Sequence, residues 1–169
     1  MGISLVKKVK ILLSILPSVI LLDQLTKQII ISKFYLGESI SIIPGLFNFT
    51  YVRNTGAAFG ILSSADPSFR VPFFLIIPGI AIGIIIYLFK KLEPGHTFLA
   101  TALSLILSGA IGNLIDRVVY RYVIDFLDFH WKEIYHFPAF NIADSAITVG
   151  VAFMILDMFF PYQTNNKEK

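Results

Sequence analysis

Four apolar runs set the layout of the chain, at residues 9–31, 71–89, 97–119 and 140–160. Each is close to the length, about 17–25 residues, that a helix needs to cross a bilayer. They predict a four-transmembrane-helix bundle in a single membrane domain covering residues 1–169. Pro17 falls inside the first run, where a proline removes a helical hydrogen bond and should kink the span. The basic start, with Lys7, Lys8 and Lys10, has the look of a signal peptide. The apolar run is too long for one, however, and lacks a small-residue cleavage site, so it is expected to be a retained first span.

Between the runs lie two long intervals, residues 32–70 and 120–139, and one tight turn at Glu93-Pro94-Gly95-His96. Within the first interval, residues 39–43 and 46–53 have strand character. Phe47, Phe49 and Tyr51 alternate with Asn48 and Thr50, and Pro44-Gly45 between the two stretches is a turn signal. The expectation is an all-α integral membrane protein with a small β-sheet at the membrane surface and a short surface helix over residues 57–63. Neither an internal repeat nor a soluble domain is visible in the pattern.

Composition agrees with this class. Of 169 residues, 56% are hydrophobic and 15% charged, and the mean hydropathy is +0.75. A soluble fold of that length could not hide so much apolar surface. The net charge of +3 comes from scattered Lys and Arg without a basic stripe, which suits an anionic membrane surface rather than nucleic acid. With no cysteine, disulfides, thiol nucleophiles and Cys-ligated metals are excluded.

Charge placement orients the bundle. Lysines crowd the N-terminal segment, the turn carrying Lys90 and Lys91, and the C-terminal tail, whereas the long intervals dilute Lys33, Arg53, Arg70, Arg121 and Lys132 with acids. By the positive-inside rule both termini face the cytoplasm and both long intervals lie outside. The polar residues of the spans then share one depth, the outward half: Asp23 and Lys27 in the first span, Asn113, Asp116 and Arg117 in the third, and Asp144 just inside the fourth. Asp125 follows the third span on the same side, in the apolar run Tyr122-Val123-Ile124-Asp125-Phe126-Leu127. Asp157 stands apart near the cytoplasmic end, where lysines are at hand.

Each of these residues has an ordinary structural explanation. Asp23 and Lys27 are spaced i,i+4 and can neutralise each other, and Lys27 can snorkel to lipid headgroups. Asp116 and Arg117 are adjacent, point apart and need partners on other helices. Asp125 can be a loop acid, and Asp144 an N-terminal-turn acid favoured by the helix dipole. Intramembrane acids are nevertheless costly and mark functional sites by default. Ser108 and Ser145 lack the setting of a nucleophile elbow, and there is no His-Glu-x-x-His or glycine-rich phosphate loop. Carboxylates are left as the abundant catalytic groups. Asp125 and Asp144 form the natural pair, since two acids in a partly desolvated site share a proton and can hold a water between them. One would deprotonate that water while the other protonates a carbonyl. Phe137-Pro138-Ala139-Phe140 should steer the chain back so that the two carboxyls come within one water of each other.

Five blocks occur in order along the chain: Asp23-Gln24-Leu25-Thr26-Lys27, Asn54-Thr55-Gly56-Ala57-Ala58-Phe59, Gly109-Ala110-Ile111-Gly112-Asn113-Leu114-Ile115-Asp116-Arg117, Val123-Ile124-Asp125-Phe126, and Phe137-Pro138-Ala139-Phe140-Asn141-Ile142-Ala143-Asp144. Together they resemble bacterial lipoprotein signal peptidase, the signal peptidase II family of aspartic intramembrane peptidases. The resemblance implies an endopeptidase of the bacterial inner membrane that cuts prolipoproteins just before their diacylglyceryl-modified cysteine. By motif position it makes Asp125 and Asp144 the catalytic dyad. Asn54, Gly56, Asn113, Arg117 and Asn141 would bind substrate or support the dyad, with Asp23, Lys27 and Asp116 as structural polar support. The small sheet would be the family's extracytoplasmic cradle. No metal or cofactor is implied, the partners are the lipid-modified prolipoprotein and membrane lipids, and a monomer is expected. Two other classes compete. A proton-coupled transporter would spread polar residues through the full membrane depth, and a scaffold would not need a desolvated pair of acids.

Overall fold

The computed structural model describes residues 2–56, 62, 64–93, 95–132 and 134–160, with the side chains of residues 2–5 excluded. Four helices carry the chain: α1 (Gly2–Lys33), α2 (Pro67–Lys91), α3 (Thr97–Tyr120) and α4 (Ile142–Phe159). All four are long and apolar enough to cross a membrane. Three of them reach past the apolar runs, because backbone hydrogen bonding continues into polar residues where a cap is available. At α2 that cap is Asp66, whose side chain accepts from the Ser68 N–H, and Pro67 follows at a position where its missing N–H costs nothing. Helix α1 runs unbroken through Pro17, and α2 through Pro72 and Pro78.

Four strands, β1 (Ser39–Ile43), β2 (Phe47–Asn54), β3 (Val123–Trp131) and β4 (Tyr135–His136), form an antiparallel sheet in the order β1-β2-β3-β4. The first two are joined as the Pro44-Gly45 signal predicts. Gly45 adopts φ 74°, and the Leu46 N–H bonds the Ile43 carbonyl at 3.0 Å. The third and fourth come from the interval 120–139, where the alternation of a half-buried strand is missing. The sheet lies at the end of the bundle where α1 and α3 finish and α2 and α4 begin. Its inner face packs Tyr51, Ile124 and Phe126 on Ile30 of α1. The expected surface helix at 57–63 lies outside the described residues except for Leu62.

Helices α3 and α4 approach most closely through glycines. A Cβ at Gly109 would collide with the Ala143 carbonyl, and one at Gly150 would stand 2.6 Å from Ile106 Cγ1. At the opposite end from the sheet, Lys8 of α1 is buried and gives its ammonium to the Phe89, Lys90 and Leu92 carbonyls at 2.7–3.4 Å, closing the end of α2. Asp157 of α4 meets His96 at 2.9 Å rather than a lysine. The nearby lysines are occupied elsewhere or exposed, and His96 sits at the start of α3, facing the end of α4.

Candidate active site

Every polar residue that the sequence places at one depth converges here. Lys27 is fully buried on α1, and its three N–H bonds all find acceptors: Asp23 at 2.8 Å, Asp116 at 2.9 Å and the Asn113 amide oxygen at 3.1 Å. Asp23 therefore does more than neutralise its i,i+4 partner. Its second oxygen accepts the Ala143 N–H at 2.9 Å, capping the first turn of α4 from a different helix. Asp116 holds the start of β3 by accepting the Ile124 N–H at 3.1 Å. Gln24 bridges the two acids, 3.1 Å from Asp23 and 3.0 Å from Asp116.

That buried cluster fixes the two elements that carry Asp125 and Asp144. On β2 and β3 the register pairs Val52 with Asp125 and Asn54 with Val123, so all four side chains share one sheet face. The Asn54 amide accordingly donates to Asp125 Oδ2 at 3.0 Å, while its oxygen accepts the Gly56 N–H at 3.0 Å. After β4, residues 137–140 run back along β3. The Phe137 N–H bonds the Phe129 carbonyl at 2.8 Å, and Phe140 exchanges hydrogen bonds with Leu127 at 3.1 and 2.8 Å. The chain thus arrives at Asn141, the N-cap of α4, beside Asp125.

Asn141 is fully buried and touches both acids. Its side-chain NH2 donates to Asp125 Oδ1 at 2.7 Å, and its backbone N–H donates to Asp144 Oδ2 at 3.2 Å, half of a capping box whose other half is the Asp144 N–H on the Asn141 oxygen at 2.9 Å. Asn113 completes the link, donating to Asp144 Oδ1 at 2.7 Å. Arg117 donates to the Gly56 carbonyl at 3.2 Å and lies over the Phe74 ring of α2.

Asp125 and Asp144 both open onto a cavity of about 840 Å3, whose apolar wall comes mainly from residues 137–140, with Val52 and Val123 of the sheet and Ile147 and Val149 of α4. Burial, and then the charge of Asp144, push the Asp125 carboxyl up to about 7, against the downward pull of the Asn54 and Asn141 hydrogen bonds and of Lys27. One acid therefore holds its proton near neutrality. Among the described residues no group of three or more His, Cys, Asp or Glu is arranged to hold a metal ion.

The sequence profile of the family described as signal peptidase (SPase) II matches residues 15–160. The chain belongs to the signal peptidase II family. A lipoprotein signal peptidase of Geobacter sulfurreducens is 54% identical over 139 residues, covering 82% of this chain and 85% of its own length. One from Pseudomonas aeruginosa is 45% identical over 141 residues, 83% of each chain. A solved structure described as a bacterial membrane enzyme, obtained by the in meso method at 2.3 Å resolution, superposes with a TM-score of 0.76 at 37% identity, covering 100% of this chain and 94% of its own. The chain is thus a multi-pass membrane protein, four apolar helices and a small antiparallel sheet, with the fold of a membrane enzyme.

Three features of this signal peptidase II family member escape sequence reasoning. Gln24 ties Asp23 to Asp116, and its only signals were its place in the Asp23–Lys27 block and the four polar residues gathered there within about one turn of a membrane helix. The Asp23 cap on α4 joins residues 120 positions apart, which no local pattern encodes. Lys8 is indistinguishable in sequence from Lys7 and Lys10, which are exposed.

Proposed function

We propose that this chain is an aspartic endopeptidase that removes the signal peptide from diacylglyceryl-modified prolipoproteins, cutting immediately before the lipidated cysteine. The coarse activity, cleavage of lipoprotein signal peptides, rests on the family. The aspartic mechanism rests on one observation above the others. The amide and backbone N–H of a single buried residue, Asn141, hold Asp125 and Asp144 together on the wall of one cavity.

Asp125, protonated near neutral pH, donates its proton to the scissile carbonyl oxygen. Asp144, kept as an acceptor by Asn113 and the Asn141 N–H, takes a proton from a water held between the two carboxyls. The resulting hydroxyl attacks the carbonyl carbon to give a gem-diol; the proton gained by Asp144 then passes to the amine nitrogen as the C–N bond breaks, and Asp125 recovers its proton from a diol hydroxyl as the carbonyl re-forms. Asn54, Gly56 and Arg117 line the approach to the dyad and offer groups that can satisfy the backbone of an unwound substrate helix, which a bilayer cannot do. Phe137–Phe140 and the adjoining sheet form an apolar wall suited to the lipid-bearing residue. The sheet acts as a cradle over the substrate. The enzyme resides in the inner membrane as a monomer among lipids, with both termini cytoplasmic and the dyad toward the periplasmic face, where the substrate's lipidated cysteine lies.

Asp125→Asn and Asp144→Asn variants, purified in detergent, test this reading. Each should fold with its helix content intact yet fail to cleave a diacylglyceryl-modified prolipoprotein. The loss should be at least about a thousandfold, the scale of removing an essential acid or base together with its partner's function. Normal cleavage by either variant would rule out the dyad.

A further inference from the structure

Asn113 can serve Asp144 only if its amide faces the right way. The two ends of an asparagine side chain are nearly the same size but opposite in hydrogen bonding, so the surrounding network decides which points where. Here the NH2 end donates to Asp144 at 2.7 Å, and the oxygen end lies between two donors, Lys27 Nζ and Asn141 Nδ2, each at 3.1 Å. The Asn141 amide is itself locked, because its oxygen accepts the Asp144 N–H and its NH2 donates to Asp125. Turned over, Asn113 would set its NH2 against an ammonium and its oxygen against a carboxylate. Both contacts are repulsive, and in a buried site the ammonium is the stronger of the two donors to Asn113.

From this we infer that Lys27 is a positioning residue for the dyad, acting through Asn113. The inference rests on the dyad reading above. Lys27 is not simply the neutralising partner of Asp23 and Asp116. Those two acids use two of its three N–H bonds, and the third is spent on Asn113. One ammonium therefore secures the start of β3 through Asp116, the start of α4 through Asp23, and the donor that meets Asp144. It reaches no carboxylate of the dyad directly, and its influence should appear in turnover rather than in substrate affinity.

The test uses the full chain in detergent with a diacylglyceryl-modified substrate. Lys27→Met alone leaves two buried acids without a cation. The principal variant is therefore Lys27→Met with Asp116→Asn, which keeps the net charge of the cluster, and Asp116→Asn alone is the reference. Thermal unfolding is followed in parallel. The paired variant should fold, and its kcat should fall about tenfold or more below the reference, the scale of one oriented hydrogen bond to a charged group, while KM stays within about threefold. Repeated in an Asn113→Ala background, the same change should lower kcat by no more than about twofold, because the residue it acts through is gone. Losses that multiply in that background, an unchanged kcat in the folded variant, or failure of both Lys27 variants to fold would each overturn the inference, the last by making Lys27 a residue of the fold alone. Full activity in Asn113→Ala by itself would instead remove Asn113 from the site and refute that part of the dyad reading.

Discussion

At Asp125 the environment favours the neutral acid, and two consequences follow. If its proton is the one delivered to the scissile carbonyl, kcat/KM should fall as the pH rises through about 7, where that proton is lost. The same group shapes stability with a definite sign. Its carboxyl ionises near an ordinary value of about 3.9 in the unfolded chain, so between about pH 4 and 7 the folded state binds the extra proton and stability declines as pH rises. Asp125→Asn removes that decline. The difference in Tm, variant minus parent, should grow in the variant's favour between about pH 5 and 8, and a constant difference would mean that Asp125 ionises normally. The residue scale was also where the sequence spoke most clearly. An acid inside an apolar run has few bland explanations, and Asp23, Lys27, Asn113, Asp116, Asp125 and Asp144 do converge. What it could not convey was their wiring. Asp116 finds its partners on α1 and β3, Asp23 caps α4, and such links depend on which helix faces meet.

Elements carry the acids to one another, and the closeness of α3 to α4 is what makes this possible. Gly112 shows the tolerance: a Cβ there would lie 2.8 Å from Asp23 Oδ2 and 3.3 Å from the Ala143 Cβ, and at Gly109 it would press on the Ala143 carbonyl and come 2.7 Å from Ile147 Cγ1. Ala143 precedes Asp144, so pushing α4 away moves the acid itself. Gly109→Ala and Gly112→Ala should each destabilise the protein by about 1–3 kcal/mol, the range for overpacking, and lower kcat in proportion to the displacement of α4. Gly79→Ala on α2 is the control. Its Cβ would meet nothing within 4 Å, so melting temperature and activity should hold or improve slightly. Equal effects at Gly79 and Gly109 would show that helix propensity, not contact, is being measured. Hydropathy made the four helices legible, and alternation did the same for β2. Strand β3 was harder to see because both of its faces are covered, Ile124 and Phe126 against α1 and the inner core, Val123 and Asp125 against the cavity, which erases the period-two signal.

The proposed orientation of the whole molecule rests on charge, while the bundle is tied at both ends by polar contacts. At the sheet end these are the Lys27 cluster, and at the other the Lys8 ammonium on the α2 carbonyls and the His96–Asp157 pair. Lys8 is buried among carbonyls, so it contributes less to the inside charge than its position in the sequence suggests. Lys7, Lys10, Lys90 and Lys91 still outnumber the acids on that side. The chain has no cysteine, which makes the proposed topology directly readable by single introduced thiols. Tyr35, 86% exposed between α1 and β1, and Glu93, exposed between α2 and α3, lie at opposite ends of the bundle. In spheroplasts, a membrane-impermeant maleimide should label Tyr35→Cys at once and Glu93→Cys only after the membrane is opened, with both variants still cleaving substrate. The reverse pattern would place the Asp125 and Asp144 layer against the cytoplasm, away from a lipidated cysteine in the outer leaflet, and would leave the cavity without access to the substrate proposed for it.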